Sequence, residues 1–263
     1  MARAAYVRTI DYEDLALQAL LREDPITSAY MLGDLDVPYA EHCTWFGLDE
    51  QQLNGVLLLY TGLRMPAVLT KDGGEEVEAL IHATNDQLPQ NFYCQFRPEH
   101  RRAIECYFQL GGLKKMVRMA LTRDHYCSQG AFNEVETLTH RDTGAIMRLY
   151  HHYPDNFFEP ALLDTGHYFG VRHEGELVSV AGIHVLSEKY DVAAIGNIVT
   201  HADYRGQGLA THCVGRLLEA LFPKINHVTL NVRESNESAI ACYRKFGFTE
   251  RYAFLEGWAT SRS

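Results

Sequence analysis

The stretch THADYRGQGLATH places an arginine and two glycines where an apolar run ends and an amphipathic one begins. Residues 193–200 precede it as a nearly continuous apolar strand. Val214, Leu217, Leu218, Leu221 and Phe222 follow at helical spacing until Pro223 stops the pattern. Gly206 and Gly208 let the backbone come close to a ligand. The first amides of a helix have no intrahelical acceptor, and the helix dipole adds about half a positive charge there, so a pyrophosphate is a natural guest. Arg205 would add a full charge. The same glycines would also serve a tight strand-to-helix turn and nothing more. The segment is neither G-K-[ST]-terminated nor G-x-G-x-x-G, so neither of those nucleotide loops applies.

The elements that must hold this loop can be followed along the second half of the chain. Residues 135–138 read as a short strand, and Asp142 begins a helix carrying Ile146, Leu149 and Tyr150. A polar and aromatic loop, residues 153–164, comes next, and its HHYPDNFFEP segment suits the border of a small-molecule pocket or a packed connection. Residues 168–172 and 177–185 are β-rich runs joined by HEGE, a hairpin signal with Gly175 at the turn. Residues 227–232 form a further strand. Asn236 can then cap a helix with Ile240, Tyr243 and Phe246 on one side, ended by Gly247. Strands before and after helices in one sheet make a mixed α/β class.

The first half echoes the second. AIECYFQLGG around Tyr107 and AIACYRKFGF around Tyr243 share Ala, Ile, Cys, Tyr and Gly in one register, from 107 to 243. Arg97 in the same register faces Arg233, while YVRTIDYED echoes EVETLTHRD, Thr9 with Thr137 and Asp14 with Asp142, at a shorter offset whose difference loops would absorb. A period this long is not a solenoid repeat; it suggests two copies of one domain, expected at residues 1–125 and 130–263 with the junction near 124–133, the alternative being chance similarity of two amphipathic helices, since only the AIxCY block is dense.

R-x-x-G-x-A after one strand, followed by N-x-x-A-x-x-x-Y-x-x-x-G-F after the next, resembles the GNAT superfamily of acyl-CoA-dependent N-acyltransferases. The resemblance covers residues 166–258 and is similar in particular to glycine N-acyltransferase-like domains. It implies the acyl-CoA N-acyltransferase fold, in two tandem copies given the repeat. Carried over, it implies that Arg205, Gly206, Gln207, Gly208, Leu209 and Ala210 cradle the coenzyme A pyrophosphate. The backbone of Ile198 and Val199 would pair with the pantetheine arm, and Asn236 would cap the last helix beside the coenzyme. Tyr243 matches the general acid that protonates the departing thiolate; a packing tyrosine on the apolar helix face is the alternative. Cys242 would point to another face of that helix, which disfavours an acyl-cysteine route. The position of the carboxylate base used by several members is Ala194 here, and Glu159, His184, His151 or a water chain are the replacements on offer. Around residues 71–77 the first half lacks the arginine and carries Asp72 and Glu75, so that copy is expected to be a degenerate scaffold.

The expected reaction is acyl transfer from acetyl-CoA, or a short acyl-CoA, to a primary amine on a small molecule. A non-catalytic acyl-CoA-binding or regulatory module is the alternative. The amine must lose its proton before it attacks, and at pH 7 a lysine lies about 3.4 units below its pKa but an α-amine only about one, so a site without a clear base favours α-amines. In 263 residues, 24 Lys+Arg against 34 Asp+Glu leave a net charge of −10, which argues against a nucleic-acid partner. No run of about 18 apolar residues occurs, so no membrane span is expected and a cytoplasmic location is. The six cysteines include no C-x-x-C pair and read as reduced, mostly buried thiols; the thirteen histidines show no H-E-x-x-H, so no metal is expected.

Overall fold

The computed structural model describes residues 7–48, 53–72, 74–130, 132–153 and 158–262. Along the chain lie β1 (Val7–Ile10), α1 (Leu15–Glu23), α2 (Ala29–Gly33), β2 (Cys43–Leu48), β3 (Gly55–Tyr60) and β4 (Ala67–Asp72). Then come α3 (Gly74–Thr84), β5 (Asn91–Phe96), α4 (Arg101–Glu105) and β6 (Phe108–Thr122). The second half holds β7 (Glu136–Thr137), α5 (Thr143–His151), β8 (Phe169–His173), β9 (Glu176–Ser187) and β10 (Val192–Thr200). It ends with α6 (Leu209–Leu221), β11 (His227–Arg233), α7 (Glu237–Lys245) and β12 (Thr249–Ser261).

Two compact units divide these elements. The first is Met1–Arg118 with Arg233–Ser235 and Arg251–Ser263; the second is Met119–Val232 with Asn236–Glu250. The linear expectation of 1–125 and 130–263 thus differs from the compact units mainly in the carboxyl-terminal strand, most of which is counted with the first.

In the first unit, β1–β2, β2–β3 and β3–β4 are antiparallel and β4–β5 is parallel. β5 then pairs with β12 antiparallel, from Leu255↔Phe96 to Thr260↔Asn91. The run GVLLLY of β3 is buried at all but its last residue, as befits a strand covered on both faces. Val77, Leu80 and Ile81 of α3 pack with Leu57, Phe92 and Phe96 in one core cluster. Asp14 caps α1 by accepting from the amides of Ala16 and Leu17.

In the second unit the same order of pairings recurs: β7–β8, β8–β9 and β9–β10 antiparallel, β10–β11 parallel. The expected strand at 135–138 is only the pair Glu136–Thr137. Thr139 and Asp142 form a capping box one turn earlier than the expected helix start, so α5 itself begins at Thr143. Glu174 and Gly175 both have positive φ, 50° and 86°, which is what a two-residue hairpin between β8 and β9 requires. Cys213, Val214, Leu217, Leu218 and Leu221 line the buried side of α6.

All six cysteines are free. Cys94 and Cys213 are buried, whereas Cys106 and Cys127 are exposed. Among the described residues no helix is long and apolar enough to cross a membrane, and no group of three or more His, Cys, Asp or Glu side chains is placed to hold a metal.

Candidate active site

Every residue that the sequence singles out for chemistry lies in the second unit. Its centre is the end of the parallel pair. The ladder runs from Val192↔His227 to Ile195↔Leu230 and stops, while β10 continues to Thr200. Beyond Ile195 the side of β10 toward β11 has left the ladder, so its peptide groups can take an extended ligand as an added strand. Ile198 is half-buried and Val199 buried in this segment. Ala194, the position of the missing carboxylate, is fully buried opposite Thr229.

In the same stretch β10 carries a bulge against β9, which the sequence signals only by a polar residue within AAIGNIV. The register with β9 shifts between Gly196 and Val199, and Asn197 sits in the left-handed region at φ 53°. Its carbonyl accepts from the Tyr150 hydroxyl at 2.6 Å, and its side-chain amide donates to the Tyr168 hydroxyl at 2.8 Å. Tyr168 in turn donates to the Ile183 carbonyl at 3.2 Å. Burial pushes both phenols above their ordinary range, so they remain neutral donors. Glycines make room: a side chain at Gly182 would overlap the Tyr168 ring, and one at Gly196 the His184 imidazole.

The glycine loop follows. After a turn at Ala202–Tyr204, Arg205 is extended, and Gly206 and Gly208 take φ of 78° and 82°. Gly208 is the N-cap of α6 with no side-chain capping bond, and the first helical turn contains no acid. The amides at this helix start therefore have no competing side-chain acceptor in the cap, and a Cβ at Gly206 would meet nothing within 4 Å. Gly206, Gln207 and Gly208 are exposed, with Leu209 and Ala210 half-buried behind them. Such a loop fits a pyrophosphate in both charge and access. Arg205 is tethered: its guanidinium donates to the Tyr153 hydroxyl at 2.9 Å and to the Thr200 carbonyl at 3.3 Å, and lies 5.4 Å from the Tyr153 ring centre. It pins the loop to the strand end, a partnership that sequence spacing does not reveal.

Asn236 caps α7 by accepting from the Ala239 amide at 3.2 Å and the Ser238 hydroxyl at 3.0 Å. Two turns on, Tyr243 is 7% exposed, and its hydroxyl makes no hydrogen bond among the described residues. Burial pushes this phenol well above its usual range, which keeps it protonated. Neighbouring Cys242 faces Thr211 of α6, 3.2 Å from its hydroxyl, on another side of the helix. The candidate bases are dispersed. His151 and Glu159 are exposed. His184 is half-buried, and burial lowers its pKa to about 4, leaving it a neutral imidazole. Residues 154–157 of the HHYPDNFFEP loop lie outside the described residues.

Comparison with known proteins agrees with this geometry. Residues 132–248 match the model of the acetyltransferase (GNAT) family. N-alpha-acetyltransferase RimI of Mycobacterium tuberculosis (strain ATCC 25618 / H37Rv) is 37% identical over 86 residues, which are 31% of this chain and 51% of the relative. A Bacillus subtilis (strain 168) protein, named as a candidate ribosomal protein bS18 alanine N-acetyltransferase, is 33% identical over 95 residues, 35% of this chain and 61% of its own. The chain therefore spans about half to three fifths of the length of these relatives. A solved GCN5-related N-acetyltransferase from Sphaerobacter thermophilus shares the fold, with a TM-score of 0.64 at 15% identity over 99% of this chain and 96% of that one. The parted strand pair and the glycine loop that opens a helix both lie within residues 132–248, the span that matches the acetyltransferase (GNAT) family.

Proposed function

We propose that the protein is an N-acyltransferase that moves an acyl group from acetyl-CoA, or a short acyl-CoA, to a primary amine by direct attack. The observation that carries this is the ladder's end at Ile195↔Leu230 beside an uncapped, glycine-opened helix start. One feature offers backbone to a pantetheine arm, the other amides to a pyrophosphate. Gly206, Gln207, Gly208, Leu209 and Ala210 would hold the phosphates, with Arg205 fixing the loop. Ile198 and Val199 would align the arm, and Asn236 would hold α7 in place.

In the reaction the amine nitrogen attacks the thioester carbonyl carbon, and the C–S bond breaks as the tetrahedral intermediate collapses. The sulfur takes the electron pair and needs a proton. Tyr243, protonated and with a hydroxyl engaged elsewhere by no described group, supplies it. The nitrogen of the tetrahedral intermediate, made cationic by the attack, gives up a proton to solvent or to the tyrosinate, so that the products are a neutral amide and the coenzyme A thiol and the phenol is restored.

The acceptor is a small molecule bearing an α-amine. Ala194 removes the family's carboxylate, and His184 is a weak base, so the substrate must arrive largely deprotonated. The name of the Mycobacterium tuberculosis relative, an N-alpha-acetyltransferase, supports an α-amine. The shared order of strand pairings supports a tandem duplication, with the first copy a degenerate scaffold lacking the arginine and glycine loop. The test is release of free coenzyme A thiol from acetyl-CoA with small α-amines and with lysine side chains of peptides at pH 7. Faster turnover of the α-amines is expected. Preference for lysine side chains would overturn the acceptor assignment, and acetyl-CoA binding without turnover on any amine would make the protein a binding module.

A further inference from the structure

Two tyrosines at the end of α5 grip β10 on either side of Ile198 and Val199, the stretch to which the acyl-CoA reading assigns the pantetheine arm. Tyr150 lies in the last turn of α5, and Tyr153 follows three residues later, its amide donating to the Tyr150 carbonyl at 2.7 Å. That bond continues the helical turn, and residues three apart on such a turn share a face. The Tyr150 hydroxyl donates to the Asn197 carbonyl at 2.6 Å, and the Tyr153 hydroxyl donates to the Thr200 carbonyl at 3.2 Å. Each bond joins residues 47 apart, so the two contacts are in one register.

Tyr153 carries a second connection. Its hydroxyl also accepts from the Arg205 guanidinium at 2.9 Å, the guanidinium lies 5.4 Å from the centre of its ring, and Arg205 Nε donates to the same Thr200 carbonyl at 3.3 Å. A phenol donates one hydrogen bond and accepts another, so both contacts of Tyr153 stand together. Hydroxyl, carbonyl and ring face orient the guanidinium without adding a negative charge, which leaves its own charge for an anion on the glycine loop. Tyr150, 6% exposed and kept a neutral donor by burial, makes its bond to the strand and not to the loop.

We propose that Tyr150 and Tyr153 are positioning residues for the acyl donor, and that Tyr153 couples its two subsites, because one hydroxyl sets both the strand end that meets the pantetheine arm and the arginine of the loop that meets the pyrophosphate. The proposal rests on the acyl-CoA reading of the second unit and adds to it the link between strand and loop. An extended arm pairs with a strand edge only when the peptide groups of that edge are held in place. The arm and the pyrophosphate belong to one ligand, so the two subsites must keep a fixed separation for both to be filled at once. The two hydroxyls are committed to the protein's own carbonyls, and their effect is therefore on donor binding and not on proton transfer.

Calorimetric titration of the full chain with acetyl-CoA, and steady-state kinetics on an amine that the native protein acetylates, test it. Tyr153→Phe removes one hydroxyl and keeps the ring. It should weaken acetyl-CoA binding about tenfold, as loss of a hydrogen bond to a charged group does, and raise KM while kcat changes less than about twofold. In an Arg205→Gln background the loss caused by Tyr153→Phe should shrink at least about threefold, whereas the loss caused by Tyr150→Phe should be the same in both backgrounds. Unchanged acetyl-CoA binding by Tyr153→Phe overturns the proposal, and an equal loss in both backgrounds overturns the coupling. A fall in kcat with KM unchanged overturns the positioning role. A native protein that does not bind acetyl-CoA overturns the acyl-CoA reading itself, and the proposal with it. If Tyr150→Phe fails to fold, the Tyr153 and Arg205 variants still decide, and the titrations decide whether or not an amine is turned over.

Discussion

The hydroxyl of Tyr107 lies 3.0 Å from Nδ1 of His82, within a ring pair whose centres are 5.6 Å apart. Tyr107 occupies the position in the first AIxCY block that Tyr243 occupies in the second. One phenol is committed to a histidine, while the other makes no hydrogen bond among the described residues. A proton donor for catalysis must be free to meet a leaving group, and only Tyr243 meets that condition.

Tyr243→Phe keeps the ring against Phe248, whose centre is 6.0 Å away, and removes only the proton. We expect kcat to fall roughly 10²–10⁴-fold with little change in acyl-CoA affinity. Tyr107→Phe should leave turnover nearly intact. Steady-state kinetics on both variants, with acetyl-CoA binding measured directly, check this; equal and small effects would make Tyr243 a packing residue.

Gly208 has φ 82°, and a Cβ there would meet only His212 Nε2 at 3.8 Å. The constraint is therefore backbone conformation and not space. Gly208→Val must either adopt a strained left-handed geometry or turn the loop amides away, at a cost on the order of 1–3 kcal/mol. Acyl-CoA binding should weaken at least about tenfold, and titration of a variant with an unchanged circular dichroism spectrum would show it.

Asn197→Leu removes the amide that donates to Tyr168 and places a branched side chain at φ 53°. A stability loss of about 1–3 kcal/mol is expected from an abandoned buried partner and backbone strain together. The KM for acyl-CoA should rise more than kcat falls, because the bulge shapes the strand edge and not the proton donor. Chemical denaturation and kinetics together distinguish this from general misfolding.

His184 supplies a pH dependence. Its pKa is about 4 in the fold because burial disfavours the imidazolium, against an ordinary value of 6.5. Below pH 6.5 the unfolded chain takes up this proton and the folded chain does not, so the stability contribution is complete above pH 6.5 and is lost progressively down to about pH 4. His184→Asn should flatten this part of the profile. The measurement is the difference in unfolding free energy between the two proteins at pH 7 and pH 5, with the native protein expected to lose more.

Local features were legible in the residues themselves. Asn236 marked a helix start and Gly247 its end, Gly175 marked a hairpin, and Gly206 with Gly208 marked an open turn, because each depends on a conformation that only a few neighbouring residues set. The alternation and helical spacing of the apolar residues likewise gave a mixed α/β order, since burial of one face is a property of the repeat itself. The bulge was not legible. Asn197 depends on Tyr150, 47 residues away, and on Tyr168, 29 away, and Arg205 on Tyr153, 52 away. Nor did spacing show that Arg251–Ser263 would belong to the first compact unit. Turns and caps are settled by short-range sterics and hydrogen bonds, whereas these meetings follow from which strand edges pair and which side chains pack, and chain separation carries no record of either.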